Sequence, residues 1–208
     1  MPPDPTLPVR PALEDAVAQF LTTAGAIGPE AWDRPATDRW SVRQLFAHTV
    51  RGMTVMGDYL DAGLEASGPR LEGAAGYFRT ALSTEGAHES IATRAEATAA
   101  GAPDDLKGWA ADVSTAMLER AAATDDDRVL VHFAGWLRFD DYLVTRVAEL
   151  VLHTFDLQMA CGLAVESPPR ALALVNSFLV DLADRADPTA LALALTGRPQ
   201  PITCNVLG

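Results

Sequence analysis

Apolar residues recur at helical spacing along most of the chain. Leu13, Val17, Phe20, Leu21 and Ala24 lie on one face of a helix predicted over residues 11–26, which Gly25 and Gly28-Pro29 end. Residues 29–40 read as a loop. A second helix starts at Trp40-Ser41-Val42-Arg43-Gln44-Leu45, where Ser41 and Gln44 have capping-box spacing and Trp40 and Leu45 hold staple positions. Its inner face runs through Val42, Leu45, Phe46, Thr49, Met53, Met56 and Leu60 towards Leu64, with His48 at the flank. Glycines interrupt the pattern over 65–76. Further helices are predicted over 77–100, 105–123 and 169–186, and Gly101-Ala102-Pro103-Asp104 supplies a turn and a cap. Residues 128–136 are β-prone and read as one extended segment, and Asp125-Asp126-Asp127 as a solvated turn. Strand-like runs are expected at Leu191–Leu195 and Ile202–Val206. The sum is a mainly all-α chain, a four-helix bundle with an extra helix and a short extended C-terminal tail. Residues 1–165 are read as the bundle, and 166–208 as a short helix plus tail.

The pattern is most informative over residues 140–162. Stepping by four, three, four and three residues gives Tyr142, Arg146, Glu149, His153 and Asp156, one line on a helix. The other faces carry Leu143, Val144, Val147, Leu150, Val151, Phe155, Leu157 and Met159. A helix apolar nearly all round is buried, and buried charge is costly unless paired or metal-bound.

Composition narrows the chemistry. The chain has 208 residues, is 49% hydrophobic and carries a formal charge of −12, so a nucleic-acid partner is excluded and small-molecule chemistry favoured. No segment reads as a secretory leader or a membrane span, which makes the cytoplasm the expected compartment. The two cysteines, Cys161 and Cys204, form no CxxC pattern, excluding a cysteine-rich zinc site.

Glu149 and His153 at i, i+4 supply two ligands of a His₂Glu metal site, and the third must come from another helix. Of four histidines, His48 is the first choice and His132 the second, while His88 reads as exposed beside Glu85 and Glu89. The alternative is a line of ion pairs, Arg146 with Glu149 and His153 with Asp156. Both readings stand on the residues alone. Asp156 can orient His153 or pair with Arg146. Arg146 can fork a substrate carboxylate or pair with an acid of its own helix. Arg198 is either an anion-binding residue or a solvated turn residue.

The stretch Trp40-Ser41-Val42-Arg43-Gln44-Leu45-Phe46-Ala47-His48 resembles the opening motif of the DinB-like metalloenzymes. The stretch from Arg146 through Glu149 and His153 to Asp156-Leu157 resembles the signature of their mycothiol-dependent maleylpyruvate isomerase branch. Thr196-Gly197-Arg198 is similar to that branch's C-terminal element. The resemblance implies a divalent metal, usually zinc, on His48, Glu149 and His153, with a low-molecular-weight thiol such as mycothiol at the open position. It implies thiol addition to an activated cis double bond, rotation and elimination, or addition alone as thiol transfer. Arg146 and Asp156 are then catalytic candidates and Arg198 a cofactor-binding one. The implied partners are the thiol and an electrophilic substrate, with the protein a monomer or homodimer. A non-catalytic, stress-related metal-binding module and a metal-dependent hydrolase are the competing expectations.

Overall fold

The computed structural model describes residues 7–61, 68–83, 86–132 and 135–196, apart from the side chains of residues 87 and 88. Four helices close a ring: α1 (Val9–Ala26), α2 (Val42–Asp61), α5 (Leu106–Ala122) and α6 (Phe139–Cys161). α1 packs on α6 and α5, and α2 on α5 and α6, which makes the predicted four-helix bundle. α4 (Ala87–Gly101) lies along α2, α3 (Gly73–Leu82) against α6 and α7, and α7 (Pro169–Ala186) against α1 and α6. No helix among the described residues is long and apolar enough to cross a membrane.

The second helix starts where the sequence places it. The Gln44 side chain accepts from the Ser41 amide at 2.9 Å, and the Ser41 hydroxyl accepts from the Gln44 amide at 3.3 Å. Two amides that no helical carbonyl reaches are satisfied by this exchange. Ser41→Ala is therefore expected to cost about 1 kcal/mol of stability, read as a lowered urea midpoint with an unchanged slope.

Thirteen of the 23 residues of α6 are buried, which makes it the bundle's central member. The buried Gln158 amide donates to Thr23 Oγ1 on α1 at 3.1 Å and exchanges hydrogen bonds with the Glu166 backbone. Gly162, at φ +68°, ends the helix, and the Leu163 amide donates back to the Gln158 carbonyl at 2.8 Å. Met159, expected inside, is 60% exposed and borders a cavity beside the bundle.

Three elements differ from expectation. The helix predicted over 77–100 is two helices, because Gly86 at φ +73° takes a left-handed turn that a right-handed helix cannot continue. The extended segment 128–136 is a hairpin, β1 (Val129–His132) with β2 (Gly135–Arg138). Residues 69–71 join it, Leu71 donating to Trp136 and Trp136 to Pro69. A Cβ on Gly135 would lie 2.2 Å from the Pro69 carbonyl, so only glycine admits this approach. The run Leu191–Leu195 is helical, within α8 (Pro188–Leu195). Asp187 caps it by accepting from the Ala190 amide, Pro188 opens its first turn, and its alanines and leucines favour helix over strand. The run Ile202–Val206 and Arg198 lie outside the described residues.

Candidate metal centre

The polar line of α6 faces a cavity of about 900 Å³ between α6, α2, α3 and α4. His48 comes from the second turn of α2, and Glu149 and His153 from successive turns of α6. One ligand atom from each lies within 4.8 Å of the others. Glu149 Oε2 is 3.2 Å from His153 Nε2 and 3.7 Å from His48 Nε2. These side chains keep 16–26% of their surface exposed, so the cluster is open to the cavity. Two imidazole nitrogens and a carboxylate oxygen converging with one side open suit a divalent cation.

The surroundings fix ring orientation. His153 Nδ1 lies 3.4 Å from Asp156 Oδ2, so donation to that carboxylate leaves Nε2 turned towards Glu149. Trp40, read from sequence as a staple residue and as the start of the motif that ends at His48, packs its ring 4.7 Å from that of His48. The expected pair of His153 with Asp156 is present. The expected pair of Arg146 with Glu149 or Asp156 does not form within 4.0 Å. Instead the guanidinium lies over the Tyr142 ring at 4.9 Å, donates to Thr145 Oγ1 at 3.1 Å and reaches the Gly52 carbonyl at 3.4 Å. A Cβ on Gly52 would sit 3.2 Å from Arg146 Nη1. A glycine inside a helix costs stability, and this one makes room for the guanidinium. That was the available sequence signal, one turn after His48.

Burial opposes ionisation of Glu149, but hydrogen bonds from His153 and His48 outweigh it and hold its pKa well below the usual carboxylate range. Burial also opposes protonation of His153, yet Asp156 and Glu149 prevail and raise its pKa to about 9. Burial lowers the pKa of His48, with the Glu149 hydrogen bond opposing. Without a cation, then, His153 carries a proton at neutral pH and His48 does not. Cation and proton compete for His153 Nε2, so below about pH 9 affinity should fall up to tenfold per pH unit, with about one proton released per ion near pH 7. Calorimetric titration in two buffers of different ionisation enthalpy measures this count. A count near zero would show His153 neutral in the metal-free protein.

His132 enters the same cavity but packs between Tyr59 and Tyr77, at 5.0 and 4.8 Å between ring centroids, and is no part of the cluster. Burial lowers its pKa to about 4, with Arg146 and Arg94 adding to the effect, so it is neutral at pH 7. The tyrosines Tyr59 and Tyr77 gave no sequence signal, because they sit on different helices and meet only through the fold.

A helical bundle presenting an open His–Glu–His cluster to a cavity defines the class: a bundle with three side chains that could hold a metal ion. Residues 13–158 match the family described as the mycothiol maleylpyruvate isomerase N-terminal domain, and the chain belongs to that family. No curated protein and no solved structure matches it.

Proposed function

We propose that this protein is an enzyme that activates a low-molecular-weight thiol, mycothiol or a close analogue, for isomerisation or thiol transfer on a small organic acid or other electrophile. Supporting this is one observation: His48, Glu149 and His153 converge within 4.8 Å at a cavity, in a chain of a mycothiol-related family. These three residues would hold the divalent cation, zinc fitting the donor set. A divalent cation with one open position supplies a Lewis acid that favours the thiolate form of a thiol.

The chain's own residues perform the rest. Asp156 keeps the His153 ring oriented by accepting its Nδ1 proton. Trp40 packs against the ring of His48 and helps to fix its orientation. The cavity has room for a thiol and an acceptor side by side, so the two are held in proximity. The protein acts in the cytoplasm on this reading.

The test is turnover. Metal-loaded protein is supplied with a thiol and a panel of cis-alkenoic acids and alkylating electrophiles. Thiol-dependent product should appear and should vanish after chelation. Protein that holds its metal yet turns over no member of the panel would be a binding module and not an enzyme.

A further inference from the structure

His132 and Tyr77 border the cavity yet hold no place in the cation cluster. β1 brings the imidazole, at 6% exposure, and α3 brings the phenol, at 9%. Their ring centroids lie 4.8 Å apart, and His132 Nε2 is 3.4 Å from the Tyr77 hydroxyl. A phenol hydroxyl has one proton and two lone pairs, so one long bond to an imidazole leaves it capacity for a ligand.

Charge decides what this pair can do. Burial, with Arg146 and Arg94 adding to it, lowers the His132 pKa to about 4, so at pH 7 the ring is neutral and carries no spare proton. Burial pushes the Tyr77 hydroxyl up to about 12, so it stays protonated. Neither group is poised to exchange a proton near neutral pH. What remains is a neutral O–H donor held by a neutral imidazole. Arg146 acts on both and makes no ion pair among the described residues. A fixed donor beside a buried cation stabilises negative charge that develops on a ligand during reaction. The place suits that role. Tyr77 meets Tyr142 edge-on at 6.0 Å. Tyr142 precedes Glu149 by two turns of α6, about 10 Å along the axis. That span admits a thiol sulfur, a short conjugated acceptor and one hydrogen bond in line.

We infer that Tyr77 is the hydrogen-bond donor to the oxygen of the acceptor on which negative charge develops, and that His132 positions its hydroxyl. The thiolate sulfur bonds to the acceptor carbon, the π pair moves onto the conjugated oxygen, and the Tyr77 O–H donates to that oxygen. In isomerisation the bond that has become single rotates, the pair returns, and the C–S bond breaks. In transfer the C–S bond stays, and the adjacent carbon takes a proton in place of the one the thiol lost. Tyr77 keeps its own proton throughout. This role rests on the thiol chemistry proposed above, and it holds for any acceptor that moves charge to oxygen.

The probe is 4-nitrophenolate, a stable oxyanion without a reactive double bond, titrated by absorbance against metal-loaded and chelated protein. The anion is expected to bind both forms in preference to the neutral phenol. Tyr77→Phe should weaken the anion at least about 10-fold, with metal content unchanged. His132→Leu should weaken it roughly 3-fold, and His132→Gln, which keeps a hydrogen-bonding group near Nε2, should restore most of that loss. In the thiol reaction Tyr77→Phe should lower kcat by roughly 100-fold with KM little changed, the mark of a contact made in the transition state. Tyr77→Phe keeps the ring, and matching circular dichroism confirms the fold. Anion binding that Tyr77→Phe leaves intact overturns the donor. So does binding that vanishes on chelation, because the oxyanion then sits on the cation. Full affinity in His132→Leu overturns the positioning role. Absent turnover, with anion binding intact and sensitive to Tyr77→Phe, shows the donor in place and fails the thiol reading instead.

Discussion

His153→Ala should strip the protein of its divalent cation. The substitution removes one of three converging donors, and it leaves Glu149 with His48 alone, 3.7 Å away. Loss of an outer-sphere partner costs about 10–100-fold in metal affinity, and loss of a direct ligand must cost more. Asp156→Asn provides that scale within the same site. It keeps the His153 nitrogen but weakens the acceptor that orients the ring, so a decline of roughly 10–100-fold is expected. Elemental analysis after dialysis against a competing chelator separates the two. His153 is partly exposed, so the fold should survive, and the circular dichroism of the variant should match the parent. Full metal stoichiometry in His153→Ala would show that the ion is held elsewhere.

Phe46→Ala should carry the largest stability cost. Phe46 is fully buried, stacks on Phe20 of α1 at 5.2 Å, and meets Trp32 edge-on at 5.2 Å. Truncating a buried phenylalanine costs about 3–5 kcal/mol, the upper part applying where the surroundings cannot collapse. Here Phe20 of α1 and Trp32, both from other parts of the chain, meet that ring, which favours the upper part of the range. Residues two apart on a helix face nearly opposite ways. Phe46 points into the core and His48 towards the cavity, so metal affinity in the folded variant should change little. A guanidinium titration followed by tryptophan fluorescence gives the first quantity and a competition assay the second. A cost under about 1 kcal/mol would mean that the ring is not packed as described.

What could be read in the sequence was whatever a single helix encodes. The line from Tyr142 to Asp156 is a matter of spacing, and it holds in three dimensions because the helix period is fixed. Ser41 and Gln44 cap α2 because their bond spans three residues. The partner across the bundle is different. His48 was the first choice among four histidines, with His132 second, and the resemblance strengthened it, since nothing local says which helix faces α6. Of the two readings left open for Arg146, the ion pair does not form, because i, i+3 spacing puts Glu149 within reach but does not say that two histidines engage it. The pairing of β1 with β2 was missed because β2 is also held by residues 69–71, some 65 residues earlier in the chain, which no local pattern shows. Leu191–Leu195 looked like strand on hydrophobicity alone, and the cap at Asp187 decided otherwise.

The ring of four helices also has a consequence in time. α1 packs most extensively on α6, and Glu149 lies 101 residues after His48. On a ribosome adding about 5–20 residues per second, His48 waits roughly 5–20 s for its partners. Through that interval the apolar faces of α1 and α2 have only each other and the helices that follow. Contacts this distant in sequence slow folding. The nascent bundle is therefore a foreseeable client for a chaperone, and a cation can be captured only once α6 has emerged.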